Sequence, residues 1–380
     1  MIKIFYWSPF FSNIATIKAV TRSAESLIKF PRNEKYKVSL IDAIGEWDQY
    51  KNVINNKISI IKLSDVNLKK YLLTGGFLKS RISYIIIFVW NFFKLKNLIN
   101  KDVPDFLIIH LMTSLPIFLS TFFNSKTKVI LRISGLPKIN IIRYLFWKIY
   151  SRKIYKVTCP TKKTYDFLVK KGIFDKQKIF ILRDPIIDMK EYSLKKKECH
   201  NFVSPIKEKY LISIGRLTKQ KNFGLLINFF YRLSDKYPNF ELVIIGEGED
   251  KLKLKNLSKK LNIEKKIHFL GYQENIFKYL KNAECFILTS LWEDPGFVIV
   301  EAALSNIPII SSDCPNGPAE IIEKNGYLFQ NDDLEDLLKK FDEFLSTNKD
   351  TIYKNKLIIK KRIKKFSTYQ HFKKLSEIIN

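Results

Sequence analysis

The stretch that decides the fold is residues 288–321, which read LTSLWEDPGFVIVEAALSNIPIISSDCPNGPAEI. It opens on the end of an apolar run that predicts a strand, residues 294–296 predict a turn, and apolar residues recur at helical spacing from Phe297 onward. We therefore expect Glu293 to lie at the carboxyl end of a strand. Glu301 should then lie about one turn into the following helix.

The turn before this helix suits a phosphate group. A helix N-terminus offers unpaired N–H groups and a partial positive charge, and Gly296 lets the backbone come close. The helical rise of about 1.5 Å per residue places Glu301 about 6 Å beyond Phe297, within reach of a sugar on that phosphate. Carboxylates repel phosphate, so Glu293 and Glu301 are expected to bind hydroxyl groups while cations and N–H groups hold the phosphate. The pattern predicts a nucleotide-sugar site.

The segment Glu293–Ala302, EDPGFVIVEA, resembles the Glu-x7-Glu motif of the retaining GT-B glycosyltransferases of family 4, the glycosyl transferases group 1. The resemblance runs over nearly the whole chain and is strongest from Leu211 to Leu328. It implies an α/β fold with two Rossmann-like domains whose parallel sheets face a central cleft, and a last helix that crosses back to the first domain. The neighbouring residues that also match the family pattern are Pro308, Gly317, Glu320, Asn325 and Gly326.

The family pattern also implies site residues. Residues 215–222, GRLTKQKN, resemble its G-R-L-x-x-x-K element, so Arg216 and Lys221 are expected to bind the donor diphosphate. A fork-shaped guanidinium and a nearby ammonium suit phosphate oxygens. Gly296 and the backbone N–H of Phe297 would add to this diphosphate site. The resemblance further implies that Glu293 is catalytic and contacts the donor sugar, and that Glu301 binds the ribose.

A histidine follows an apolar strand in the first half of the chain. His110 comes directly after residues 106–109, at the sheet edge where open α/β folds bind ligands. A lone histidine at such a place is often a structural hydrogen-bonding residue. Many members of the family have a strand-end histidine here that faces the cleft, so the resemblance makes His110 a candidate catalytic residue that touches the acceptor or the donor sugar.

Alternating strands and helices predict the domain boundaries. Residues 1–185 are expected to form an acceptor-binding domain, with about 366–380 crossing back to it. Residues 186–206 carry a lysine run without apolar periodicity and are predicted to be a linker. Residues 207–365 should form the nucleotide-sugar-binding domain.

Two turns depart from the family pattern: residues 8–13, SPFFSN, replace a Gly-Gly turn, and Pro295 brings no N–H to the second turn.

Composition limits the partners. The net charge of +29 raises the question of nucleic acid, but the lysines are spread along the chain without a nucleic-acid-binding motif. We therefore expect no nucleic acid and consider an anionic membrane surface instead. Four cysteines without metal-ligand spacing predict a reducing compartment, and the N-terminus lacks the features of a signal peptide. These features predict a cytoplasmic protein, peripheral on the inner face of the cytoplasmic membrane.

The most hydrophobic run, residues 82–93, has two interpretations. At 12 residues it is too short to span a bilayer, which takes about 20 residues in a helix. It could be a buried helix that packs on the sheet. It could instead be an interfacial helix, with its aromatic residues at the lipid boundary and the basic residues Lys79, Arg81, Lys94 and Lys96 on the headgroups.

Together these features predict a hexosyltransferase that moves a sugar, with retention, from a nucleoside-diphosphate sugar to a saccharide or lipid-linked saccharide in cell-surface polysaccharide biosynthesis. The donor is a substrate, no cofactor is expected, and the lack of a clear D-x-D element argues against a catalytic metal. A retaining glycosidase uses two carboxylates, but here Glu301 would bind the ribose and leave Glu293 without a second one. This favours a mechanism in which the diphosphate departs and the acceptor attacks on the same face of the sugar. The alternatives are a GT-B nucleotide-sugar 2-epimerase and a non-catalytic membrane-associated scaffold.

Overall fold

The chain divides into two units that each contain a parallel sheet. A computed structural model describes residues 1–11, 15–31, 35–73, 77–122, 126–206 and 208–380, without the side chains of residues 15, 77 and 78. Unit 1 consists of Met1–Pro185 and Thr368–Asn380, and unit 2 of Ile186–Ser367. Part of the predicted departure at residues 8–13 lies outside the described residues, since positions 12 and 13 are not among them.

The sheet of unit 1 is parallel throughout, with the strand order β3-β2-β1-β4-β5-β6-β7. Its central strands are rich in β-branched and aromatic residues, which are mostly buried because helices cover both faces, whereas the edge strand at residues 59–62 is partly exposed. The strand predicted at residues 106–109 is confirmed. The strands are β1 (Ile2–Trp7), β2 (Tyr36–Asp42), β3 (Ser59–Lys62), β4 (Phe106–Ile109), β5 (Lys128–Arg132), β6 (Ile154–Cys159) and β7 (Ile179–Ile181).

Helices cover the two faces of this sheet with separate apolar clusters. One cluster receives Val20 and Leu27 from the first helix, and the other receives residues from the next four helices. Thr161 caps the fifth helix by accepting from the backbone N–H of Thr164. These helices are α1 (Ala15–Lys29), α2 (Phe77–Asp102), α3 (Ser114–Phe122), α4 (Ile141–Tyr150) and α5 (Lys162–Lys171).

The predicted length of the hydrophobic segment 82–93 is wrong. It is the middle of α2, which runs for 26 residues, because Lys94, Lys96 and Asn97 end the hydrophobic run without ending the helix. In the described part of the chain, the segment Lys79–Asp102 is the one helical stretch with the length and mean hydropathy, 1.4, to cross a membrane. Only 28% of its apolar window is buried, so most of this window faces outward from unit 1.

Unit 2 has the strand order β10-β9-β8-β11-β12-β13, again parallel. Its strands are β8 (Lys209–Ile214), β9 (Phe240–Ile245), β10 (Ile267–Gly271), β11 (Cys285–Leu288), β12 (Ile309–Ser312) and β13 (Tyr327–Phe329). Its helices are α6 (Met189–Glu198), α7 (Phe223–Lys236), α8 (Lys251–Lys260), α9 (Phe277–Leu280), α10 (Phe297–Leu304), α11 (Pro318–Ile322), α12 (Leu334–Ser346) and α13 (Lys349–Arg362). The predicted α/β class with two Rossmann-like parallel sheets is confirmed.

Residues 186–206 do not form the predicted linker. They belong to unit 2 and contain α6, whose first turn is capped by the Asp188 carboxylate. The sequence of this helix shows no apolar periodicity because its lysines face solvent. Tyr192 packs on Phe277, with ring centroids 5.0 Å apart. A short and mostly exposed helix has too few apolar positions to show a periodicity in the sequence.

The last helix, α14 (Thr368–Ile379), completes unit 1, as the family resemblance implied. Leu375 and Ile378 enter the same apolar cluster as α1. The buried His371 donates from Nδ1 to the carbonyl of Arg183 over 2.7 Å, so its Nε2 accepts from the hydroxyl of Ser23 over 2.8 Å. This polar link fixes the rotation of α14 against the core of unit 1.

The charge state of His371 makes the stability of unit 1 depend on pH. Burial is the main cause that lowers the pKa of His371 to about 3; the hydrogen bond to the Arg183 carbonyl opposes this decrease, and the charge of Arg132 adds to it. The unfolded chain binds this proton near its ordinary pKa of about 6.5, so the stability is complete above that pH and is lost as the pH falls toward 3. Between pH 7.5 and 5.0, we expect urea unfolding to show a larger loss of stability for the wild type than for His371→Gln. Equal losses in both proteins would contradict the assignment.

Candidate functional site

Four loops meet at the carboxyl edge of the second sheet, where open parallel sheets bind ligands. The loops follow β8, β9, β11 and β12, and the strand order places β8 and β11 side by side at the centre. The loop after β8 contains Arg216 and Lys221, and the loop after β11 contains Glu293. The fold therefore brings residues that are about 70 positions apart in the chain to one place.

Glu293 lies at the centre of this edge, and it is only 4% exposed. Its Oε1 accepts from the hydroxyl of Ser290 over 2.6 Å and forms an ion pair with Nζ of Lys221. The Lys221 side chain is itself 12% exposed. A carboxylate with so little solvent is held in one orientation by these two donors, which is the arrangement needed to place a charge against a bound sugar.

Hydrogen bonds fix the distance between the loop that contains Lys221 and the loop that contains Glu293. Leu291 donates its N–H to the carbonyl of Gln220 over 2.8 Å, and the side-chain amide of Gln220 donates to the carbonyl of Trp292 over 2.9 Å. The hydroxyl of Thr289 donates to the carbonyl of Lys221 over 3.1 Å. The pairing of Lys221 with Glu293 is therefore set by the fold and does not depend on the flexible lysine side chain alone.

Arg216 lies in the same loop as Lys221, but its side chain is exposed. Its Nη2 lies 3.5 Å from Oε1 of Gln220, a contact at the outer limit of a hydrogen bond. A guanidinium held this loosely can turn toward an anionic ligand at little energetic cost. Arg216 and Lys221 thus share one loop, with one cation paired and the other open to solvent, and their binding of a diphosphate stays a prediction.

The turn into α10 depends on two glycines. Gly296 has a φ of 93° and Gly317 a φ of 149°, both in the region that favours glycine. A Cβ on Gly317 would lie 1.9 Å from the carbonyl oxygen of Pro295. The Asn316 side-chain amide also donates to the Asp294 carboxylate over 2.5 Å. The loop after β12 therefore supports the 294–296 turn from which α10 begins at Phe297.

Glu301 lies in the second turn of α10, half-buried, as the helical spacing predicted. Glu293 lies five residues beyond the end of β11, so it belongs to the loop and not to the strand end that the apolar run indicated.

Cys314 lies near this site as well. Burial raises the pKa of its thiol to about 12, and the Glu293 carboxylate adds to that increase, so this sulfur stays protonated and is a poor nucleophile.

His110 belongs to unit 1 and is buried there. It lines a small enclosed cavity together with Arg132, Asp184 and His371, in which Arg132 donates to the Asp184 carboxylate over 2.5 Å. Burial lowers the pKa of His110 well below its ordinary value, followed by the effects of Arg132 and His371. It is therefore a neutral imidazole, and its predicted contact with a sugar stays a prediction.

Several site residues were not predicted from the sequence. Ser290, Gln220 and Asn316 all hold the Glu293 loop or its turn through hydrogen bonds. Asn316 precedes a glycine and has a φ of 71°, and an Asn-Gly pair is a turn signal that the sequence does show. Ser290 and Gln220 carry no comparable signal, because their roles depend on how two distant loops meet.

The same edge also includes a layer of glycine turns. A Cβ on Gly246 would lie 1.9 Å from the carbonyl oxygen of Gly215. Leu217 donates to the carbonyl of Glu247 over 2.9 Å, so the loops after β8 and β9 interlock. The G-x-G element at 246–248 thus serves close packing of two turns.

In the parts of the chain that the structure describes, no group of three or more His, Cys, Asp or Glu residues is placed to hold a metal ion.

Residues 196–364, a little under half of the chain, match the model of the family described as Glycosyl transferases group 1. An uncharacterized glycosyltransferase of Methanocaldococcus jannaschii is 35% identical over 60% of this chain and 61% of its own length. A Campylobacter jejuni enzyme, N-acetylgalactosamine-N,N'-diacetylbacillosaminyl-diphospho-undecaprenol 4-alpha-N-acetylgalactosaminyltransferase, is 27% identical over 63% of this chain and 66% of its own length. The alignments with these two relatives thus span somewhat less than two thirds of their lengths.

Shorter matches include relatives named for surface polysaccharides. The amylovoran biosynthesis glycosyltransferase AmsD of Erwinia amylovora is 34% identical over 32% of this chain and 34% of its own length. The lipopolysaccharide 1,6-galactosyltransferase of Escherichia coli K12 is 31% identical over 30% of this chain and 33% of its own length.

The fold matches solved structures, among them a glycosyltransferase from Rickettsia africae, with a TM-score of 0.76 at 17% identity over 100% of this chain and 97% of that chain. The Anabaena protein HepE, solved in complex with UDP, superposes with a TM-score of 0.72 at 13% identity, and the match covers 99% of both chains. At this identity the likeness concerns the fold alone, and it confirms the predicted GT-B architecture of two Rossmann-like units.

Proposed function

We propose that this chain is a retaining glycosyltransferase that moves a sugar from a nucleoside-diphosphate sugar to a saccharide acceptor. The observation that carries the proposal is the buried Glu293 held by Lys221 and Ser290 beside a helix N-terminus. This group lies inside the stretch that matches the group 1 glycosyltransferase family. The proposal thereby assigns the activity for which the relatives are named to the group of residues around Glu293.

In this proposal the cations hold the donor diphosphate. Arg216 turns its guanidinium onto the phosphate oxygens, and Lys221 shifts part of its pairing from Glu293 to the diphosphate. Gly296 lets the backbone approach, and the N–H of Phe297 adds the positive end of the α10 dipole. When the diphosphate leaves, its negative charge grows, and these preorganised groups stabilise it without a metal ion.

The two carboxylates hold hydroxyl groups. Glu301 projects from α10 and would accept from the ribose of the donor, while Glu293 would accept from the donor sugar. Because Glu293 is already bonded to Ser290 and Lys221, its free lone pairs point in a fixed direction. With Glu301 assigned to the ribose, a covalent intermediate of the glycosidase type lacks its second carboxylate, so we favour front-face attack with retention.

We further propose a lipid-linked saccharide acceptor in cell-surface polysaccharide assembly, with the enzyme peripheral on the cytoplasmic side of the membrane. The Campylobacter jejuni relative is named for a diphospho-undecaprenol acceptor, and two shorter matches are named for lipopolysaccharide and amylovoran. The proposed partners are therefore a nucleotide sugar and a lipid-linked saccharide.

A nucleotide screen tests the donor site. We expect at least one of UDP, GDP and ADP to raise the melting temperature, because a ligand at 100 times its Kd stabilises by about 2.7 kcal/mol. Arg216→Ala should weaken this nucleotide about tenfold or more without lowering the melting temperature of the free protein, since its side chain is exposed.

The control is Arg232→Ala, which removes an exposed arginine from α7 that pairs with Glu335. It should bind the nucleotide like the wild type. Equal binding by both variants would reject the diphosphate role of Arg216, and no shift with any nucleotide would favour a non-catalytic scaffold. Release of nucleotide from the donor without an acceptor, together with a changed sugar, would indicate a 2-epimerase instead.

A further inference from the structure

Helix α2 is apolar on its exposed face as well as on the face that packs Ile87, Leu95 and Ile99 into the core. Its buried face includes the polar residues Ser83 and Asn91, both fully buried. Its exposed face carries large apolar residues at helical spacing, among them Val89 at 67% and Phe93 at 69% exposure. A helix of a soluble domain normally turns its apolar stripe toward the core. The exposed apolar residues of α2 therefore indicate a second apolar partner outside unit 1.

Helix α4 repeats this arrangement. Ile142 is 74% exposed, and Ile141, Leu145 and Ile149 are exposed with it, whereas Trp147 on the other side is buried in the core. Nothing in the sequence singled out α4, because its apolar residues surround the whole helix. The structure separates them into a packed side and an exposed side.

The exposed sides of α2 and α4 form one surface. Helix α3 lies between them, and rings run from Phe92 to Phe118 (6.0 Å), then to Phe122 (4.4 Å) and to Tyr150 (6.1 Å). The charge of Arg81 on α2 also lowers the pKa of Arg143 on α4, after the larger effect of burial. We call this the α2–α4 surface, defined by Ile85, Val89, Phe93, Phe122, Ile142 and Ile149.

The charge around this surface has one sign. There is no Asp or Glu between residues 66 and 101 or between residues 106 and 165, whereas both segments are rich in Lys and Arg. Lys94 extends over the Trp90 ring, with Nζ 3.8 Å from the ring centroid. Apolar side chains with a basic rim and no acidic residue match an anionic interface that has an apolar interior.

We propose that the α2–α4 surface seats unit 1 on an anionic lipid bilayer, with α2 lying along the interface. Helix α2 does not leave the sheet to span the bilayer, because Ile87, Leu95 and Ile99 belong to the core cluster of unit 1 and would lose that burial. A second copy of this chain is disfavoured as the partner, because it would place one basic rim against another. The proposal does not depend on which reaction the chain catalyses.

Vesicle binding by the full chain tests this surface. We expect co-sedimentation with vesicles of phosphatidylcholine and phosphatidylglycerol, and much weaker binding to phosphatidylcholine alone. Val89→Glu combined with Ile142→Glu should weaken binding about tenfold or more, because both carboxylates would enter the interface. The matched control, Val53→Glu combined with Val203→Glu, adds the same charge at exposed valines outside the surface and should change binding by no more than about twofold.

Three results would overturn the proposal. These are equal binding to both vesicle types, equal binding by the two double variants, and a lipid-free dimer in light scattering that Val89→Glu with Ile142→Glu converts to monomer. The nucleotide-induced melting shift is measured on the same variants, and we expect it to be unchanged because unit 2 holds the donor site. A loss of vesicle binding with an intact shift therefore separates this surface from the proposed transfer activity.

Discussion

Glu293→Gln is expected to reduce the rate of sugar transfer at least about tenfold, and it is one of the two substitutions with the largest predicted effect. Glutamine can still accept from Ser290, but it removes the charge that Lys221 faces at this nearly buried position. Removing one partner of a buried ion pair also destabilises a protein, here by up to about 3 kcal/mol. The measurements are initial rates with a nucleotide-sugar donor and the urea midpoint of the same preparation.

A double variant separates catalysis from stability. Lys221→Met added to Glu293→Gln removes the unpaired ammonium, so the urea midpoint should recover while the transfer rate stays low. Glu343→Gln is the control, because Glu343 pairs with Lys340 at an i,i+3 position on the surface of α12 and should leave both quantities near the wild type. If the double variant regained activity together with stability, the role of this pair would be structural only.

Gly317→Ala is expected to lower the free energy of unfolding of unit 2 by at least about 3 kcal/mol. The new Cβ would lie 1.9 Å from the carbonyl oxygen of Pro295, and the φ of 149° is one that alanine rarely adopts. Relief of the clash must move the 294–296 turn, so nucleotide binding should weaken as well. Urea unfolding followed by circular dichroism measures the first effect, and the nucleotide melting shift measures the second.

Gly224→Ala provides the matched control. Gly224 lies in the first turn of α7, and none of the described atoms lies within 4 Å of the Cβ position outside its own helix backbone and chain neighbours. Alanine there should stabilise by about 0.5 to 1 kcal/mol through the lower entropy of the unfolded chain. A loss of stability in this variant comparable to that of Gly317→Ala would show that the clash at Pro295 is not the cause.

Most of the fold could be predicted from the sequence, because both sheets are parallel and buried on both faces. Such strands are short apolar runs between turn residues, so β8 and β9 can be placed almost to the residue. The errors occur where exposure removes the pattern. Helix α6 has few apolar positions, and many apolar residues of α2 and α4, such as Val89 and Ile142, point away from the core, so periodicity does not predict their environment.

The candidate site was predicted only as residue types near a turn. The Glu-x7-Glu spacing and the basic residues after β8 locate Glu293, Arg216 and Lys221, because each follows a strand directly or through a short loop. The pairing of Lys221 with Glu293 could not be predicted, since it depends on the bonds of Gln220 and Thr289 between two loops. The roles of His110 and Glu301 toward a ligand stay predictions, because they require a bound donor or acceptor.

The place of α14 in unit 1 has a consequence for biosynthesis. Residues 186–367 are synthesised before residues 368–379, so unit 1 lacks the apolar cover of Leu375 and Ile378 until the last residue of unit 2 has been made. Unit 1 therefore cannot complete its core before unit 2 has been made, unlike an N-terminal domain that is continuous in the chain. Until translation reaches α14, the cluster around α1 lacks the apolar residues of that helix, and this incomplete core is accessible to chaperones.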